Sequence, residues 1–324
     1  MRAFVYGLIS IVVLAVAAAA AGYFYITDRY ESPGPLQAAH TVVLERGAGA
    51  RAIADRLAEE GVLEDAQVFL LGLWLKGEQG ALKAGEYAFE PGVSPAGVAA
   101  KLVAGDTVIR RLTIAEGLTS AEIVALVDGA EGLSGEIGEV PPDGTLLPET
   151  YHFSYGDARR DIIARMKAGM AQAIEALWPK RQAELPLNSP EEAVTLASIV
   201  EKETGVASER PMVAGVFVNR LRRDMPLQSD PTVIYALTMG KAPLGRPLAR
   251  TDLEVDSPFN TYRYKGLPPA PIANPGRASL EATLNPADTD ALYFVADGSG
   301  GHAFARTLDE HNRNVRRWRE LNNN

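Results

Sequence analysis

The longest uninterrupted apolar segment of the chain lies at its N-terminus, where residues 4–26 carry no charged side chain over 23 positions. A helix rises about 1.5 Å per residue, so a segment of this length crosses the roughly 30 Å hydrocarbon core of a bilayer. Arg2 precedes the segment and Asp28 follows it. Positive charge ahead of the helix predicts a cytoplasmic stub over residues 1–3 and a body outside the cytoplasm.

A cleaved signal peptide is the alternative for this segment, because the alanines at residues 17–21 are small residues of the kind found at cleavage sites. The apolar run nevertheless continues through Tyr23, Phe24 and Tyr25, and aromatic residues are typical of membrane interfaces. We therefore expect a retained single-pass transmembrane helix over residues 4–26. A linker containing Pro and Gly follows over residues 27–39.

Beyond the linker, one pattern of apolar positions occurs three times. A short strand-like run reaches a glycine, and apolar residues follow six and ten positions later, which is the spacing of one helical stripe. The three sets are Gly47 with Ile53 and Leu57, Gly92 with Val98 and Leu102, and Gly117 with Ile123 and Val127.

The repeated strand–helix pattern resembles the LysM carbohydrate-binding module. We expect a small LysM-like α+β subdomain over residues 40–110, which either docks glycan or serves as a plain spacer. The third repeat leads into a second domain over residues 111–322.

The most informative helix of the second domain begins after Ser189. Ser189 with Glu192 has the spacing of a capping box, Pro190 suits the first helical position, and Gly205 is a natural end for the helix. Its apolar residues are predicted to form one stripe that faces the core. The members of that stripe are Ala193, Leu196, Ala197 and Val200.

Two carboxylates, Glu201 and Glu203, flank Lys202 at the end of this helix. At about 100° per residue both lie at the edge of the apolar stripe, with Lys202 on the opposite side. Partial burial favours the protonated form of a carboxyl group, and a general acid needs that form near neutral pH. The helical geometry does not choose between the two, and a pair of surface carboxylates is the commoner outcome on an arbitrary helix.

Two polar segments follow. Residues 227–232 predict a loop that enters a helix, with Asp230 as the N-cap and Pro231 as the first helical residue. Residues 257–276 are proline-rich and carry Tyr262, and we expect an ordered loop that lines a groove rather than a flexible linker. A buried strand over residues 291–296, its partner over residues 302–304 and a helix over residues 308–321 complete the chain.

Composition narrows the possible functions. The formal net charge is −9, which disfavours nucleic acid as a partner because phosphate binding relies on Lys and Arg. The chain has no Cys, which excludes disulfides, iron–sulfur clusters and thiol catalysis. Its four His lack a zinc-protease spacing, and no Ser lies in a nucleophile elbow. We expect an α+β protein with a mixed α/β catalytic domain and with no metal and no cofactor.

Several motifs of the second domain together resemble the endolytic murein transglycosylases, the YceG-like or MltG family. They are ETY at residues 149–151, ASIVEKET at 197–204, VFVNRL at 216–221, LQSDPTVIY at 227–235, NTY at 260–262, GLPP with PI at 266–272, and LYFVAD with GH and Phe304 at 292–304. The motifs are colinear, and the resemblance runs from the apolar N-terminal segment to the C-terminus.

The resemblance implies a single-pass protein of the cell inner membrane whose periplasmic catalytic domain cuts nascent peptidoglycan strands internally and ends their elongation. It assigns Glu201 as the catalytic residue and implies work near peptidoglycan synthases. Glu201 would protonate the bond between N-acetylmuramic acid and N-acetylglucosamine and then deprotonate the 6-hydroxyl, which gives 1,6-anhydro ends. Candidates for holding the sugars are Asn219, Gln228, Ser229, Asp230, Asn260 and Tyr262.

Two other functions remain open from the residues alone. A muramidase-type hydrolase would need a second carboxylate to activate water, and Asp230 or Glu203 could supply it. A non-catalytic scaffold that binds peptidoglycan for the synthesis machinery would need neither carboxylate.

Overall fold

The computed structural model describes residues 2–322. Met1, part of the predicted cytoplasmic stub, lies outside the described residues. The chain forms two compact units, one made of residues up to Arg110 together with His152–Asp157, and the other made of Arg111–Tyr151 together with the residues from Ala158 onward. Both units mix helices with short strands, which confirms the predicted α+β class.

The first unit contains the N-terminal helix and two of the three predicted strand–helix repeats. Its elements are α1 (Arg2–Glu31), β1 (His40–Leu44), α2 (Ala50–Glu59), α3 (Ala66–Lys76), β2 (Gly85–Phe89) and α4 (Pro95–Ala104). Strands β1 and β2 pair antiparallel, with Val42 opposite Tyr87. Their inner side chains and the apolar faces of the helices form one core, in which Tyr87 and Phe69 are fully buried.

Helix α1 is longer than the sequence predicted. It continues past Ile26 to Glu31, so the first five residues of the predicted linker are helical. The segment Phe4–Glu31 is long and apolar enough to cross a membrane. Tyr30 at its end is 2% exposed and belongs to the core of the first unit, which explains why the helix persists beyond the apolar run.

Two strands carry the chain from one unit to the other: β3 (Ile109–Thr113) and β4 (Thr150–Ser154), which form a two-stranded sheet. The third predicted repeat continues from β3 into α5 (Ser120–Asp128). The remaining elements of the second unit are α6 (Arg159–Leu177), α7 (Pro190–Glu203), α8 (Arg210–Arg222), α9 (Asp230–Thr238), α10 (Arg277–Leu284), β5 (Tyr293–Ala296), β6 (His302–Ala305) and α11 (Leu308–Asn322). Strands β5 and β6 form the predicted antiparallel pair.

Helix α7 is the centre of the second unit. All eight residues from Ala193 to Val200 are buried, so the predicted single apolar stripe was too narrow. Small side chains at Ala193, Ala197 and Ser198 let neighbouring elements approach from every side. The Ser189 hydroxyl accepts a hydrogen bond from the Glu192 N–H, as predicted. The Glu192 carboxylate instead accepts from the N–H of Asn188, which precedes the cap.

Candidate active site

Glu203 lies on the last turn of α7, where its carboxylate meets the loop that leads into α9. The Ser229 hydroxyl donates a hydrogen bond to Glu203 Oε1. Ser229 is 1% exposed, and its N–H donates to Thr261 Oγ1 at 3.1 Å. Thr261 Oγ1 also lies 2.8 Å from Thr232 Oγ1. This small buried network fixes the two polar loops predicted from the sequence against each other and against the end of α7.

The surroundings of Glu203 favour a protonated carboxyl group. The pKa of Glu203 is raised to about 7, mainly by burial and to a smaller extent by the negative charge of Asp230. The hydrogen bond from Ser229 and the positive charges of His302 and Arg220 act in the opposite direction and lower the same pKa. The desolvation that the sequence predicted for a carboxylate at this helix end is therefore present at Glu203.

Asp230 does not cap α9 as predicted. Ser229 occupies the N-cap position, without a side-chain capping bond, and Asp230 is the first helical residue. The Asp230 carboxylate instead accepts a hydrogen bond of 2.6 Å from the Tyr262 hydroxyl. Burial, followed by this hydrogen bond, raises the pKa of Tyr262. Asp230 and Tyr262 thus form a polar pair at the edge of the Glu203 cluster, where Asp230 is exposed to solvent.

Glu201 points to a different neighbourhood, although it lies only two positions from Glu203. Its side chain is 5% exposed and accepts a hydrogen bond of 3.1 Å from Arg210 through Oε1. Its Oε2 accepts the N–H of Gly276 at 2.9 Å. Both carboxylate oxygens are therefore engaged by donors of the protein itself.

Arg210 is shared between two carboxylates. The same terminal nitrogen that reaches Glu201 lies 3.1 Å from Glu116 Oε2. Burial raises the pKa of Glu116, and the neighbouring charge of Glu201 raises it further. The Glu116 carboxyl also packs directly on Gly276, because a Cβ at that glycine would lie 1.8 Å from Glu116 Oε1. This cluster joins the end of α7 to the start of α8 and to the proline-rich segment.

The structure gives Asn219 and Asn260 partners within the protein. The Asn219 side-chain amide donates to the carbonyls of Thr289 at 2.6 Å and Ala291 at 3.1 Å. The Asn260 side-chain amide is fully buried and donates to the carbonyls of Leu253 and Val255, each at 2.9 Å. Both amides hold loops in place, and their predicted contact with sugars stays a prediction.

Gln228, like Asp230, is an exposed member of the predicted sugar-binding set. Its backbone has φ of +53°, a left-handed conformation that turns the chain just before Ser229. Its N–H donates to the Thr261 carbonyl at 3.1 Å, which leaves the side chain on the open side of the loop.

Two basic side chains near Glu203 received no individual role from the sequence. Arg220 is 7% exposed and donates to the carbonyls of Leu292 and Leu227, at 2.7 and 2.8 Å. His302 Nδ1 lies 2.7 Å from Glu209 Oε2, and Glu209 Oε1 accepts the His302 N–H at 2.8 Å. Arg220 and His302 both lie within the motifs that resemble the family. Their contacts became clear only from hydrogen-bond partners elsewhere in the chain.

A cavity of about 400 Å³ is bordered by α7, by α9 and by the loop that follows α9. Lys202 of α7 and Pro231 of α9 contribute to its wall, and Ile234, Thr238 and Arg246 continue it along α9 and the following loop. Lys202 lies between the two glutamates in the sequence, but neither Glu201 nor Glu203 lines this cavity.

The whole chain is similar to proteins of one family. The sequence signature of the YceG-like family matches residues 42–317. An endolytic murein transglycosylase from Bacillus subtilis (strain 168) is 34% identical over 301 residues, which cover 82% of this chain and 81% of that protein. An endolytic murein transglycosylase from Streptococcus pneumoniae is 29% identical over 366 residues, which cover 97% of this chain and 65% of that protein.

A solved structure is similar as well. The 2.6 Å crystal structure of a yceG-like protein from Listeria monocytogenes superposes with a TM-score of 0.53 at 32% sequence identity. The superposition covers 85% of this chain and 98% of the Listeria chain, so it extends well beyond the individual motifs.

Proposed function

The chain belongs to the YceG-like family, as its motifs indicated, and on that basis we propose that it is an endolytic murein transglycosylase, a lyase that cuts peptidoglycan strands internally. The observation that carries the proposal is the raised pKa of Glu203. Its carboxyl group is desolvated and has a pKa of about 7, in the range that a general acid and base requires.

The proposed reaction uses one carboxyl group twice. Glu203 donates its proton to the glycosidic oxygen between N-acetylmuramic acid and N-acetylglucosamine, and the bond to C1 breaks. The resulting carboxylate removes the proton from the 6-hydroxyl of the same muramic acid, whose oxygen closes onto C1. The products are a new N-acetylglucosamine end with a free hydroxyl and a 1,6-anhydromuramic acid end. No water is consumed, and Glu203 ends the cycle protonated.

The family resemblance assigned this role to Glu201, and the geometry supports Glu203 instead. Both carboxylate oxygens of Glu201 accept hydrogen bonds from the protein, and the guanidinium of Arg210 forms an ion pair with the carboxylate. Glu203 has a hydroxyl partner and lies near an exposed polar pair. We therefore propose Glu203 as the acid and base, with Glu201 as a residue that holds the end of α7 in place.

Asp230 favours a second candidate, a muramidase-type hydrolase. Its carboxylate is exposed and close enough to Glu203 to raise the pKa of that group. In the transglycosylase it would stabilise positive charge developing at C1, whereas in a hydrolase it would activate water. The two functions differ in their products, since hydrolysis leaves a reducing end instead of an anhydro ring.

The location follows from α1. We propose that α1 is retained in the inner membrane with its N-terminus in the cytoplasm and that both compact units lie in the periplasm. There the enzyme would meet newly made strands and work beside the peptidoglycan synthases. The first unit would serve as the LysM-like module of that assembly.

The proposal is tested by mass spectrometry of the products released from peptidoglycan by the purified full chain. We expect anhydro ends from the native chain and a loss of rate of about 10²–10⁴-fold in Glu203→Gln, which keeps the shape of the residue but cannot transfer the proton. Glu191→Gln is the matched control, because Glu191 is an exposed glutamate on the same helix. Its rate should equal that of the native chain.

The paired variant Glu201→Gln separates the two glutamates. We expect it to lower the melting temperature and to retain much more activity than Glu203→Gln at a temperature where it is folded. A folded Glu203→Gln of normal activity together with an inactive, folded Glu201→Gln would return the catalytic role to Glu201. Reducing ends would identify a muramidase, and an absence of products from the native chain would identify a scaffold.

A further inference from the structure

Helix α3 of the first unit is apolar on two opposite sides. Val68, Phe69, Gly72 and Leu73 face the core and are buried. On the other side Leu71 and Leu75 are each 42% exposed and Trp74 is 63% exposed. A helix that is apolar around its circumference is normally covered on all sides. The outer face of α3, defined by Leu71, Trp74 and Leu75, therefore lacks a cover among residues 2–322.

The inner side of α3 is fastened to the end of α1. The ring of Tyr30 rests on Gly72 so closely that a Cβ there would lie 2.1 Å from the ring. Lys76 Nζ lies 3.1 Å from Glu31 Oε1 and 5.0 Å from the centre of the Tyr30 ring. The position of α3 is thus fixed relative to the helix that is suited to crossing the membrane.

Two ion pairs join the two ends of α3 to α1. At its N-terminal end, Glu64 lies 3.4 Å from Arg29 of α1, and at its C-terminal end Lys76 meets Glu31. Residues 29 and 31 are separated by about 3 Å along α1, whereas the two ends of α3 are separated by about 16 Å. Both ends of α3 are therefore joined to the last turns of α1.

The depth of α3 relative to a membrane that α1 spans follows from the aromatic residues of α1. Tyr23, Phe24 and Tyr25 are exposed, as residues at a membrane interface would be. Ile26 is already half-covered and Tyr30 is buried. The folded unit thus begins within about two helical turns of the aromatic residues, at the level where lipid headgroups lie.

We propose that the outer face of α3 lies in the headgroup region of the same phospholipid bilayer that α1 spans. Trp74 suits this position because its ring is apolar and its N–H is polar, and the two leucines would reach the upper acyl region. The attachment would give the first unit a second point of contact with the membrane and would fix its orientation above it. The proposal rests on α1 being a membrane helix and not on the enzymatic reaction.

The chain has no Cys, so single-cysteine variants carry one nitroxide label each without further changes. Leu71→Cys and Trp74→Cys would be labelled in the full chain in phosphatidylethanolamine–phosphatidylglycerol nanodiscs. The measurement is the collision of each label with oxygen, which concentrates in lipid, and with a water-soluble nickel chelate. Val13→Cys in α1 is the control for lipid, and Leu126→Cys in α5, 46% exposed, is the control for water.

We expect the oxygen-to-nickel ratio at residues 71 and 74 to be severalfold higher than at residue 126 and to approach that at residue 13. Ratios equal to that at residue 126 would overturn the proposal. Spin–spin broadening between labels in nanodiscs that hold two copies, without the oxygen preference, would also overturn it, because the face would then be covered by a second copy. Circular dichroism of each labelled variant checks that the fold is kept.

Discussion

Two glutamates of one helix turn meet different surroundings because of the angle between them. Glu201 and Glu203 are two positions apart, so their side chains leave the helix about 200° apart and meet different parts of the chain. Arg210 and Gly276 hold the first, whereas Ser229 and Asp230 surround the second.

Substitutions of two neighbours of Glu203 should shift the pH dependence of the reaction in opposite directions. The general acid must be protonated, so activity falls as the pH rises through the pKa of Glu203, about 7. Asp230→Asn removes a negative charge that raises this pKa, so the falling limb should move to lower pH. Ser229→Ala removes a hydrogen bond that lowers it, so the limb should move to higher pH.

The measurement for this pair is kcat/KM against pH, and the readout is the midpoint of the falling limb rather than its height, since either variant also changes the binding surface. Movement of both midpoints in the same direction would contradict the proposed balance of charges around Glu203.

Arg210 should contribute far more to the free energy of unfolding than its partial exposure implies. Arg210→Met leaves the carboxylate of Glu201, 5% exposed, without its countercharge. Removing one partner of a buried pair costs about 3–5 kcal/mol. Urea denaturation should show a loss of this size, and adding Glu201→Gln should recover part of it. Equal losses in the single and double variants would mean that Glu201 does not depend on Arg210.

The sequence predicted which residues lie at the candidate site better than it predicted their hydrogen-bond partners. It singled out both glutamates from the register of a well-capped helix, and Ser229 and Asp230 from the polar loop at residues 227–232. It did not predict that Asp230 would turn from the cap position towards Tyr262, since that bond joins residues 32 positions apart. Partners at such separation depend on how the elements pack, and local patterns carry no information about them.

At the scale of elements, α7 shows how a helix with polar residues becomes a core helix. Thr195 and Ser198 are 5% and 0% exposed. Ser198 Oγ donates to the Thr195 carbonyl at 2.7 Å and accepts the N–H of Ile272 at 3.0 Å. The second bond fixes the proline-rich segment against α7, and this explains why that segment is ordered, as the sequence predicted, despite its composition.

Ser198→Ala should therefore destabilise the second unit beyond the loss of one hydroxyl. The Ile272 N–H would be left buried without an acceptor, which costs about 1–3 kcal/mol. Ser208→Ala is a suitable control, because Ser208 is exposed just beyond the end of α7. Chemical denaturation should show a clear difference between the two variants. If their free energies of unfolding were the same, the Ile272 N–H would have found another partner.

At the scale of the whole molecule, the chain divides where the second strand–helix repeat ends and the third begins, between Arg110 and Arg111. The sequence predicted a subdomain over residues 40–110 and a catalytic domain over residues 111–322, which stays a prediction, and it did not include His152–Asp157 in the first unit. The return of that segment to the first unit depends on the pairing of β3 with β4, whose residues lie about forty positions apart, as in Thr113 and Thr150. The LysM-like role of the first unit stays a prediction.

The continuity of α1 leads to the prediction that the anchor is retained. Cleavage near the alanines at residues 17–21 would leave a helical stub bearing Tyr23, Phe24 and Tyr25, each more than half exposed. Such a patch would be costly in water but suits a membrane interface. We expect the full chain to sediment with membranes, to resist carbonate extraction and to keep its N-terminal sequence. A shortened chain that begins at Gly22, exported behind a separate signal, is the matched control and should be released by carbonate. Recovery of the native protein as a soluble form that begins near Gly22 would show that the segment is a signal peptide.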